Sequence, residues 1–437
     1  MRICILGIAG TFMSGIACLA KQLGHEVWGI DQAIYPPMSD VLKDAAITCY
    51  QNDDIDHVAQ ADLVIVGNAI KRGHPCLEWV LNNNIPYVSG AEWLFQNVLQ
   101  QRKVIAITGT HGKTSCTHLL VHLMRSAGKH VGYLVAGQPK DNLPMVSLGD
   151  DSGEGYFVIE ADEYDTAYFD KQPKFLKYRP HHVLINNIEF DHADIYSDID
   201  AIYLQFSRLI RQLPSQGCLY IPTQDRKIRQ LADEAYCAIK TFGNGGDLQY
   251  QSGHLYLSGS DIGRLNWSLK GDHMLSNALA VSTIALNCGI DADVLIRGLA
   301  TFEGVKRRMH TMGYWDDTLY IDDFAHHPTA IEQTLKALKP DTGKQMVVVH
   351  ATNYTQRNML MEERFISALN CADHAIVLSE HWQCALPNIT VVQSKDAAIE
   401  QWKQHQGIFS QCVTMSAKSM GWFYQHINQS TTERSEG

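Results

Sequence analysis

Short apolar runs alternate with longer amphipathic stretches along most of the chain, a pattern that is typical of α/β folds with parallel sheets. Turns rich in glycine, proline or polar residues separate these runs. The 437 residues are long enough for about three domains. The sequence therefore predicts three α/β domains, over residues 1–98, 99–303 and 304–437.

Each predicted domain has strands formed by apolar, often β-branched runs. Those of the first domain are Ile3–Leu6, Glu26–Ile30, Asp62–Val66 and Pro86–Val88. Those of the second are Val104–Thr108, Tyr156–Ile159 and Val183–Ile185, followed by antiparallel hairpins over residues 214–270 and a helix over Met274–Leu286. Those of the third are Leu319–Ile321, Gln345–Val349 and Ala375–Leu378, and the polar tail Ser430–Gly437 is expected to be disordered.

The first strand leads into a turn that contains Gly7, Gly10 and Gly15, and the second strand ends at Asp31. Glycines at such a turn and an acidic residue after the second strand are typical of a dinucleotide-binding domain. The glycine spacing differs from G-x-G-x-x-G, so a plain structural turn is an equally good interpretation.

The stretch Gly109-Thr-His-Gly-Lys-Thr-Ser115 lies between a strand and a helical pattern, which is the order that a phosphate-binding loop requires. Glycines let backbone N–H groups point at phosphate oxygens, and the helix presents the positive end of its dipole. Lys113 is predicted to reach the β- and γ-phosphates, and a neighbouring hydroxyl to hold Mg²⁺. Position 107 is Ile where the usual pattern has glycine, so the alternative is a glycine-rich turn that happens to contain Lys-Thr.

Polar segments follow two further buried strands of the second domain. Glu160 begins an acidic segment that ends at Asp165, and His192 ends a segment that begins at Asn186. Because ligands bind beyond the carboxyl ends of parallel strands, these segments are expected to converge on the phosphate loop. Glu160 and His192 are candidate Mg²⁺ ligands, with a surface position for Glu160 and a hydrogen-bonding role for His192 as alternatives.

The start of the third domain concentrates charged and imidazole side chains. Arg307 and Arg308 are candidates to stabilise a transferring phosphoryl group, with a solvated basic turn as the alternative. The segment Asp322-Asp-Phe-Ala-His-His-Pro328 follows a strand and has groups suited to a nucleotide ribose or a reacting carboxylate. A polar turn that ends at Pro328 is the alternative.

Composition narrows the class of protein. Hydrophobic residues make up 45% and charged residues 19% of the chain, which is ordinary for a globular enzyme. The formal charge of −11 argues against nucleic acid as a partner. Eleven dispersed cysteines predict reduced thiols, and the lack of a secretion signal or an apolar run of spanning length predicts a cytoplasmic protein without a membrane partner.

The motifs occur in an order that resembles the Mur ligase family, and the resemblance covers nearly the whole chain. The motifs that carry it are Gly109–Ser115, Glu160–Glu163, Asp191–His192, Gly304–Arg308 and Asp322–Pro328. The resemblance implies a Rossmann-like N-terminal domain for UDP, a central P-loop ATPase domain and a C-terminal Rossmann-like domain for the amino acid or peptide. It also implies an ATP-dependent ligase that activates the carboxylate of UDP-N-acetylmuramate as an acyl phosphate and joins it to an amine, as a monomer or weak homodimer.

The resemblance implies roles for individual residues. The catalytic residues would be Lys113, Glu160, His192 and Arg308. ATP would be bound by Gly109, Thr110, His111, Gly112, Lys113, Thr114 and Ser115, with Asn277 at adenine, Arg308 at the γ-phosphate and Asp323 at the ribose. Mg²⁺ would be held by Thr114, Glu160 and His192, and the sugar nucleotide by Gly7, Gly10, Thr11, Phe12, Met13, Ser14, Asp31, Asn68 and His327.

The acceptor amine is the open question. Stretches such as Tyr35–Ser39 and Tyr164–Lys171 resemble the branch that adds L-Ala-γ-D-Glu-meso-diaminopimelate in murein recycling, whereas the third domain departs from that branch at Ala351–Thr355 and Ser416–Trp422. The candidates to bind the distal charges of the tripeptide are Arg357, Lys418 and His350. The alternatives are a ligase for free L-alanine, a nucleotide-binding regulator without ligase activity and, less in keeping with the second phosphate loop, an NAD-dependent dehydrogenase.

Overall fold

A computed structural model describes residues 1–51, 53–141, 143–150, 155–357, 361–383 and 386–427. They form two compact units. The first contains Met1–Glu189, Ile199–Trp267 and Ser276–Glu303, and the second contains Phe190–Asp198, Ser268–Leu275 and the residues from Gly304 on. The predicted tail, Ser430–Gly437, lies outside the described residues.

The first unit begins with a parallel five-stranded sheet in the order β3-β2-β1-β4-β5. Its strands are β1 Arg2–Leu6, β2 Glu26–Asp31, β3 Thr48–Gln51, β4 Leu63–Val66 and β5 Tyr87–Ser89. Its helices are α1 Thr11–Gln22, α2 Met38–Asp44, α3 Ile55–Val58, α4 Pro75–Asn82 and α5 Gly90–Leu94, which continues as a π-helical turn over Phe95–Leu99. The edge strand β3 is the one that the sequence pattern did not predict, because none of its residues is buried.

The same unit contains a ten-stranded sheet in the order β17-β16-β15-β14-β13-β12-β6-β9-β7-β8. Its strands are β6 Lys103–Thr108, β7 Gly132–Leu134, β8 Val146–Ser147, β9 Tyr156–Glu160, β12 His182–Ile185, β13 Cys218–Pro222, β14 Ala238–Phe242, β15 Leu248–Gln251, β16 His254–Leu257 and β17 Ser260–Arg264, and a separate hairpin pairs β10 Asp165–Ala167 with β11 Asp170–Pro173. The helices of this region are α6 Lys113–Ser126, α7 Lys174–Lys177, α8 Ile199–Arg211, α9 Arg226–Ala232, α10 Asp272–Asn287 and α11 Ala292–Thr301.

The prediction of antiparallel hairpins over residues 214–270 is wrong for its first half. β13, β14 and β15 pair in parallel, and α9 connects β13 to β14. Only β15, β16 and β17 form the predicted antiparallel edge. The first residues of β14 are exposed, so its sequence lacks the continuous apolar run of a buried parallel strand and resembles an edge strand of a hairpin.

The second unit contains a six-stranded sheet in the order β18-β19-β23-β20-β21-β22, parallel except for the β18–β19 pair. Its strands are β18 His310–Trp315, β19 Thr318–Asp323, β20 Gln345–His350, β21 His374–Leu378, β22 Ile389–Val392 and β23 Gln411–Met415. Its helices are α12 Pro328–Ala337, α13 Tyr354–Arg357, α14 Glu362–Leu369 and α15 Lys395–Gln404, and residues 421–427 are also helical. Apolar clusters cover both faces of this sheet.

Candidate active site

The loop between β6 and α6 has the backbone geometry of an anion-binding site. Gly109 and Gly112 have φ angles of 134° and 82°, which disfavour residues with a Cβ. Gly112 is the N-cap of α6, and no side chain caps this helix end. The first N–H groups of a helix have no partner within the helix, so this terminus offers donors and a positive dipole end to a phosphate.

Asparagine side chains support this loop from the segment after β12 and from α10. Asn187 accepts a hydrogen bond from the backbone N–H of His111 at 2.8 Å, and the Asn186 amide donates to Asn277 at 2.9 Å. A Cβ at Gly112 would lie 2.7 Å from the Asn277 side-chain oxygen, so the pair packs directly against the loop. Asn277 and the predicted phosphate loop therefore belong to one buried arrangement.

Lys113 makes ion pairs with the acidic segment that follows β9. Its Nζ lies 3.0 Å from Glu163 and 3.8 Å from Asp162, and it donates to the Gly109 carbonyl at 2.7 Å. Burial opposes the charge of Lys113, but the carboxylates outweigh it and raise the pKa of the ammonium above its usual value. The loop lysine is therefore cationic, as phosphate binding requires.

Glu160 and Thr114 lie together beside this loop. The Thr114 hydroxyl donates to Glu160 at 3.1 Å, and the Ala136 N–H donates to the other carboxylate oxygen at 2.7 Å. The surface alternative for Glu160 is wrong, because this residue is buried at the end of β9. A hydroxyl and a carboxylate are hard oxygen ligands, so this pair fits a magnesium ion.

The glycine-containing turn after β1 is held by the end of β2. Asp31 accepts from the Ala9 N–H at 3.0 Å, and Gly10 caps α1 without a side-chain hydrogen bond. Met13 and Ser14, two predicted substrate-binding residues, are buried, and the Ser14 hydroxyl donates to the Thr11 carbonyl at 3.0 Å. Their side chains thus shape the turn from inside.

In the second unit, a buried carboxylate organises the segment that carries His192. Asp191 accepts from the His192 N–H at 2.8 Å and from the Thr355 hydroxyl at 2.9 Å. Burial alone would raise the pKa of Asp191, but the imidazoles of His192, His326 and His327 outweigh burial and lower it. His327 also approaches the Phe190 carbonyl at 3.2 Å. The predicted site residues His192 and His327 are thus brought together around Asp191.

The two neighbouring arginines of this unit have different surroundings. Arg307 pairs with Asp322 at 3.1 Å and donates to the carbonyls of Ser416 and Lys418 at 2.8 and 2.7 Å. It therefore acts as a structural clamp, and the solvated-turn alternative is wrong for it. The Arg308 guanidinium lies 4.6 Å from the centre of the Phe324 ring, near the buried Asp323 carboxylate.

The C-terminal departure from the family pattern places cations around His350. Burial and the charges of Lys395 and Lys418 lower the pKa of His350, and its ring lies 6.1 Å from that of Trp422. Two of the three residues predicted to bind the acceptor, His350 and Lys418, thus lie in one region. The side chain of the third, Arg357, lies outside the described part of the chain.

Lys174 is the residue that sequence reasoning missed. Its ammonium lies 3.4 Å from Asp162 and over the rings of Tyr164 and Phe12, at 4.2 and 4.6 Å from their centres. Only 6% of its side chain is exposed, although a lysine in a short polar stretch gives no sequence signal of burial. The acidic segment Glu160–Asp165 was the one feature of the sequence that indicated a nearby cation.

The comparisons match all three parts of the chain to one family. Residues 2–102 match the Mur ligase family catalytic domain, residues 107–285 the Mur ligase middle domain, and residues 307–410 the Mur ligase glutamate ligase domain. The chain is 39% identical to UDP-N-acetylmuramate–L-alanyl-γ-D-glutamyl-meso-2,6-diaminoheptandioate ligase of Escherichia coli over 88% of this chain and 87% of that protein. The chain belongs to the Mur ligase family.

Other Mur ligases are also similar to the chain. It is 32% identical to UDP-N-acetylmuramate–L-alanine ligase of Rubrobacter xylanophilus, over 87% of this chain and 84% of that protein. The crystal structure of a murein peptide ligase from Psychrobacter arcticus superimposes with a TM-score of 0.79 at 34% identity, over 98% of each chain. The predictions of a Mur ligase fold and of an ATP-dependent ligase are thereby confirmed.

Two further observations concern the whole described chain. None of its described helices has the length and apolar character needed to cross a membrane. The ten cysteines among the described residues are all free, and most are buried. The prediction of reduced, dispersed thiols agrees with this arrangement.

Proposed function

We propose that the chain joins UDP-N-acetylmuramate to the tripeptide L-Ala-γ-D-Glu-meso-diaminopimelate in a reaction driven by ATP. The observation that carries the chemistry is the phosphate loop, in which Lys113 lies at the N-terminus of α6 beside buried carboxylates. The observation that favours the tripeptide is the greater identity to the relative named for that peptide, 39% against 32% for the L-alanine ligase.

The proposed reaction has two steps. An oxygen of the lactyl carboxylate attacks the γ-phosphorus of ATP, which forms an acyl phosphate and releases ADP. The amine nitrogen of the tripeptide then attacks the acyl carbon, loses a proton and expels phosphate. Lys113 and the N–H groups of the loop offset the charge that develops on the phosphoryl oxygens, and such preorganised donors contribute several kcal/mol to the stability of a transition state.

Mg²⁺ is the proposed cofactor, because Thr114 and Glu160 present hard oxygen ligands at the loop. When bound, the ion supplies positive charge that polarises phosphoryl oxygens. His192 as a further ligand stays a prediction. So do the contacts of Asn277 with adenine, of Arg308 with the γ-phosphate and of Asp323 with the ribose.

The sugar nucleotide is proposed to bind the turn that begins at Gly7. Gly10 leaves the N-terminus of α1 without a side-chain cap, which suits a diphosphate. Thr11 and Phe12 follow directly, and Asn68 lies just after β4. We also propose a cytoplasmic protein that acts as a monomer or weak homodimer.

The test is mass spectrometry of products formed from UDP-N-acetylmuramate, ATP and a set of amines, followed by kcat/KM for the tripeptide and for L-alanine. A ratio well above one, lowered in Lys418→Ala and Arg357→Ala, is the expected result. A ratio below one would assign the chain to the L-alanine ligases. Absence of any amide product, with ATP still bound, would favour a regulator that has lost ligation.

A further inference from the structure

The buried ammonium of Lys174 lies between two parts of the first unit that the proposed function assigns to different substrates. Phe12 lies in the first turn of α1, at the site proposed to bind the sugar nucleotide, and Asp162 belongs to the acidic segment beside the phosphate loop. Lys174 is the first residue of α7, and its N–H donates to the Tyr164 carbonyl at 3.1 Å. The backbone hydrogen bond thus fixes the position of the Lys174 Cα, and the rings of Phe12 and Tyr164 restrict the conformation of its side chain.

The charges around Lys174 are not evenly matched. Asp162 lies 3.4 Å from Lys174 and 3.8 Å from Lys113, and Lys113 also pairs with Glu163 at 3.0 Å, so within the described part of the chain Lys113 has two ion-pair carboxylates and Lys174 has the more distant one alone. Burial lowers the pKa of Lys174, and Asp162 offsets only part of this effect. An ammonium has three N–H donors, and Asp162 accepts from Lys174 at the long end of the hydrogen-bond range. A second anion would therefore be well accommodated at this position.

We infer that Lys174 binds the lactyl carboxylate of UDP-N-acetylmuramate, an inference that rests on the proposed function. A carboxylate is small enough to approach an ammonium that is covered by two rings, whereas a diphosphate already has the N–H donors of the turn after β1. Asp162 lies within 4 Å of both lysines, so the two ammonium groups are close to each other. A carboxylate bound to Lys174 would therefore lie near the phosphates that Lys113 is proposed to bind. This placement brings the attacking oxygen towards the phosphoryl group.

The experiment measures binding of two sugar nucleotides by calorimetry. UDP-N-acetylmuramate has the lactyl carboxylate, and UDP-N-acetylglucosamine has the same diphosphate without it. In Lys174→Met, affinity for the first should fall about 10- to 100-fold, as for loss of a charged hydrogen bond, and affinity for the second should change less than about 3-fold. Lys171→Met is the matched control, because Lys171 lies on β11, directly before α7, with 71% of its side chain exposed, and both affinities should be unchanged.

Several outcomes would overturn the inference. An equal loss for both nucleotides would assign Lys174 to the diphosphate, and no loss for either would make it a structural residue. If Lys174→Met does not fold, Lys174→Met/Asp162→Asn removes both charges and is compared with Asp162→Asn alone; equal affinities in these two variants would refute the inference. If the wild type itself binds no UDP-N-acetylmuramate, the proposed function fails first and the inference fails with it.

Discussion

At the residue scale, the site is built from charges that compensate each other in the folded chain. Lys113 and Glu163 are both largely buried and lie 3.0 Å apart. Removing one partner of a buried pair leaves the other without compensation, which costs more than the pair contributes. Catalytic and structural roles of Lys113 therefore have to be separated by experiment.

We expect Lys113→Met to lower kcat by more than 100-fold, because a contact to the transferring phosphoryl group is lost. The same change should lower the free energy of unfolding by about 3 kcal/mol, because the buried Glu163 carboxylate loses its ion pair with Lys113. The double variant Lys113→Met/Glu163→Gln should recover most of the stability and none of the activity. Urea unfolding and phosphate-release assays measure the two effects, and recovery of activity in the double variant would contradict the phosphate role.

The stability of the chain should fall in mild acid because of His182. Burial lowers the pKa of this imidazole to about 4, and it lies 3.2 Å from the Tyr220 hydroxyl. The unfolded chain has a histidine pKa of about 6.5, so it binds the proton more strongly. The contribution is fully present above about pH 6.5 and is lost as pH falls towards 4, by up to about 1.4 kcal/mol per pH unit. Urea titrations give the free energy of unfolding at pH 7 and at pH 5. The loss between these two pH values should be smaller for His182→Gln than for the wild type. Equal losses would show that His182 does not cause the fall in stability.

At the element scale, the parallel strands were predictable because both faces of such sheets are buried, which leaves nearly continuous apolar runs. β23 was missed although it lies between β19 and β20, because its sequence, Gln411-Cys-Val-Thr-Met415, contains a buried Gln and a buried Thr. Gln345 donates to Gln411 at 2.8 Å, so the polar group is satisfied by a strand that is distant in sequence. No local pattern reveals such a partner.

A buried hydrogen bond connects Thr355 on α13 to Asp191 in the segment after β12. Thr355→Val would remove the 2.9 Å hydrogen bond to Asp191, the residue that also fixes the His192 backbone. We expect a loss of about 1–3 kcal/mol in the free energy of unfolding and a higher Mg²⁺ concentration for half-maximal rate. Thr355→Ser should behave as the wild type. An unchanged Mg²⁺ titration in Thr355→Val would separate Asp191 from metal binding.

The adjacent arginines provide a matched pair of tests. Arg307→Lys loses the planar group that binds one carboxylate and two carbonyls, so the melting temperature should fall while kcat changes little. Arg308→Lys keeps a positive charge near the Asp323 carboxylate and should lower kcat about 10-fold or more, if its guanidinium meets the γ-phosphate. Thermal denaturation and steady-state kinetics on both variants decide the assignment, and the reverse pattern would exchange the two roles.

At the scale of the whole molecule, the order of the motifs was sufficient to predict the fold class and the family. The phosphate loop was predictable because strand, loop and helix are adjacent in the sequence. Lys174 was not, because its burial depends on Phe12, which lies in α1 and is distant in the sequence. A local motif such as the phosphate loop can therefore be predicted from the sequence. The surroundings of a charged side chain cannot, because they depend on contacts between segments that are distant in the sequence.

Two compact units predict unfolding in more than one step. The phosphate loop, Glu160 and Asn277 all lie in the first unit, so a non-hydrolysable ATP analogue with Mg²⁺ should raise the temperature of the transition that reports on this unit. The expected stabilisation is about 2.7 kcal/mol when the free ligand is 100 times its Kd. Scanning calorimetry measures this stabilisation, and Lys113→Met should abolish it. A single transition that is insensitive to nucleotide would contradict the prediction.

The ion pair between Lys113 and Glu163 also means that the loop carries its own competitor for anions. A phosphate that binds Lys113 competes there with a carboxylate that is covalently part of the chain and is therefore always present. A single anion, such as sulfate or inorganic phosphate, gains few contacts in this exchange. A triphosphate gains many at once, so we expect the site to favour a nucleoside triphosphate over simple salts.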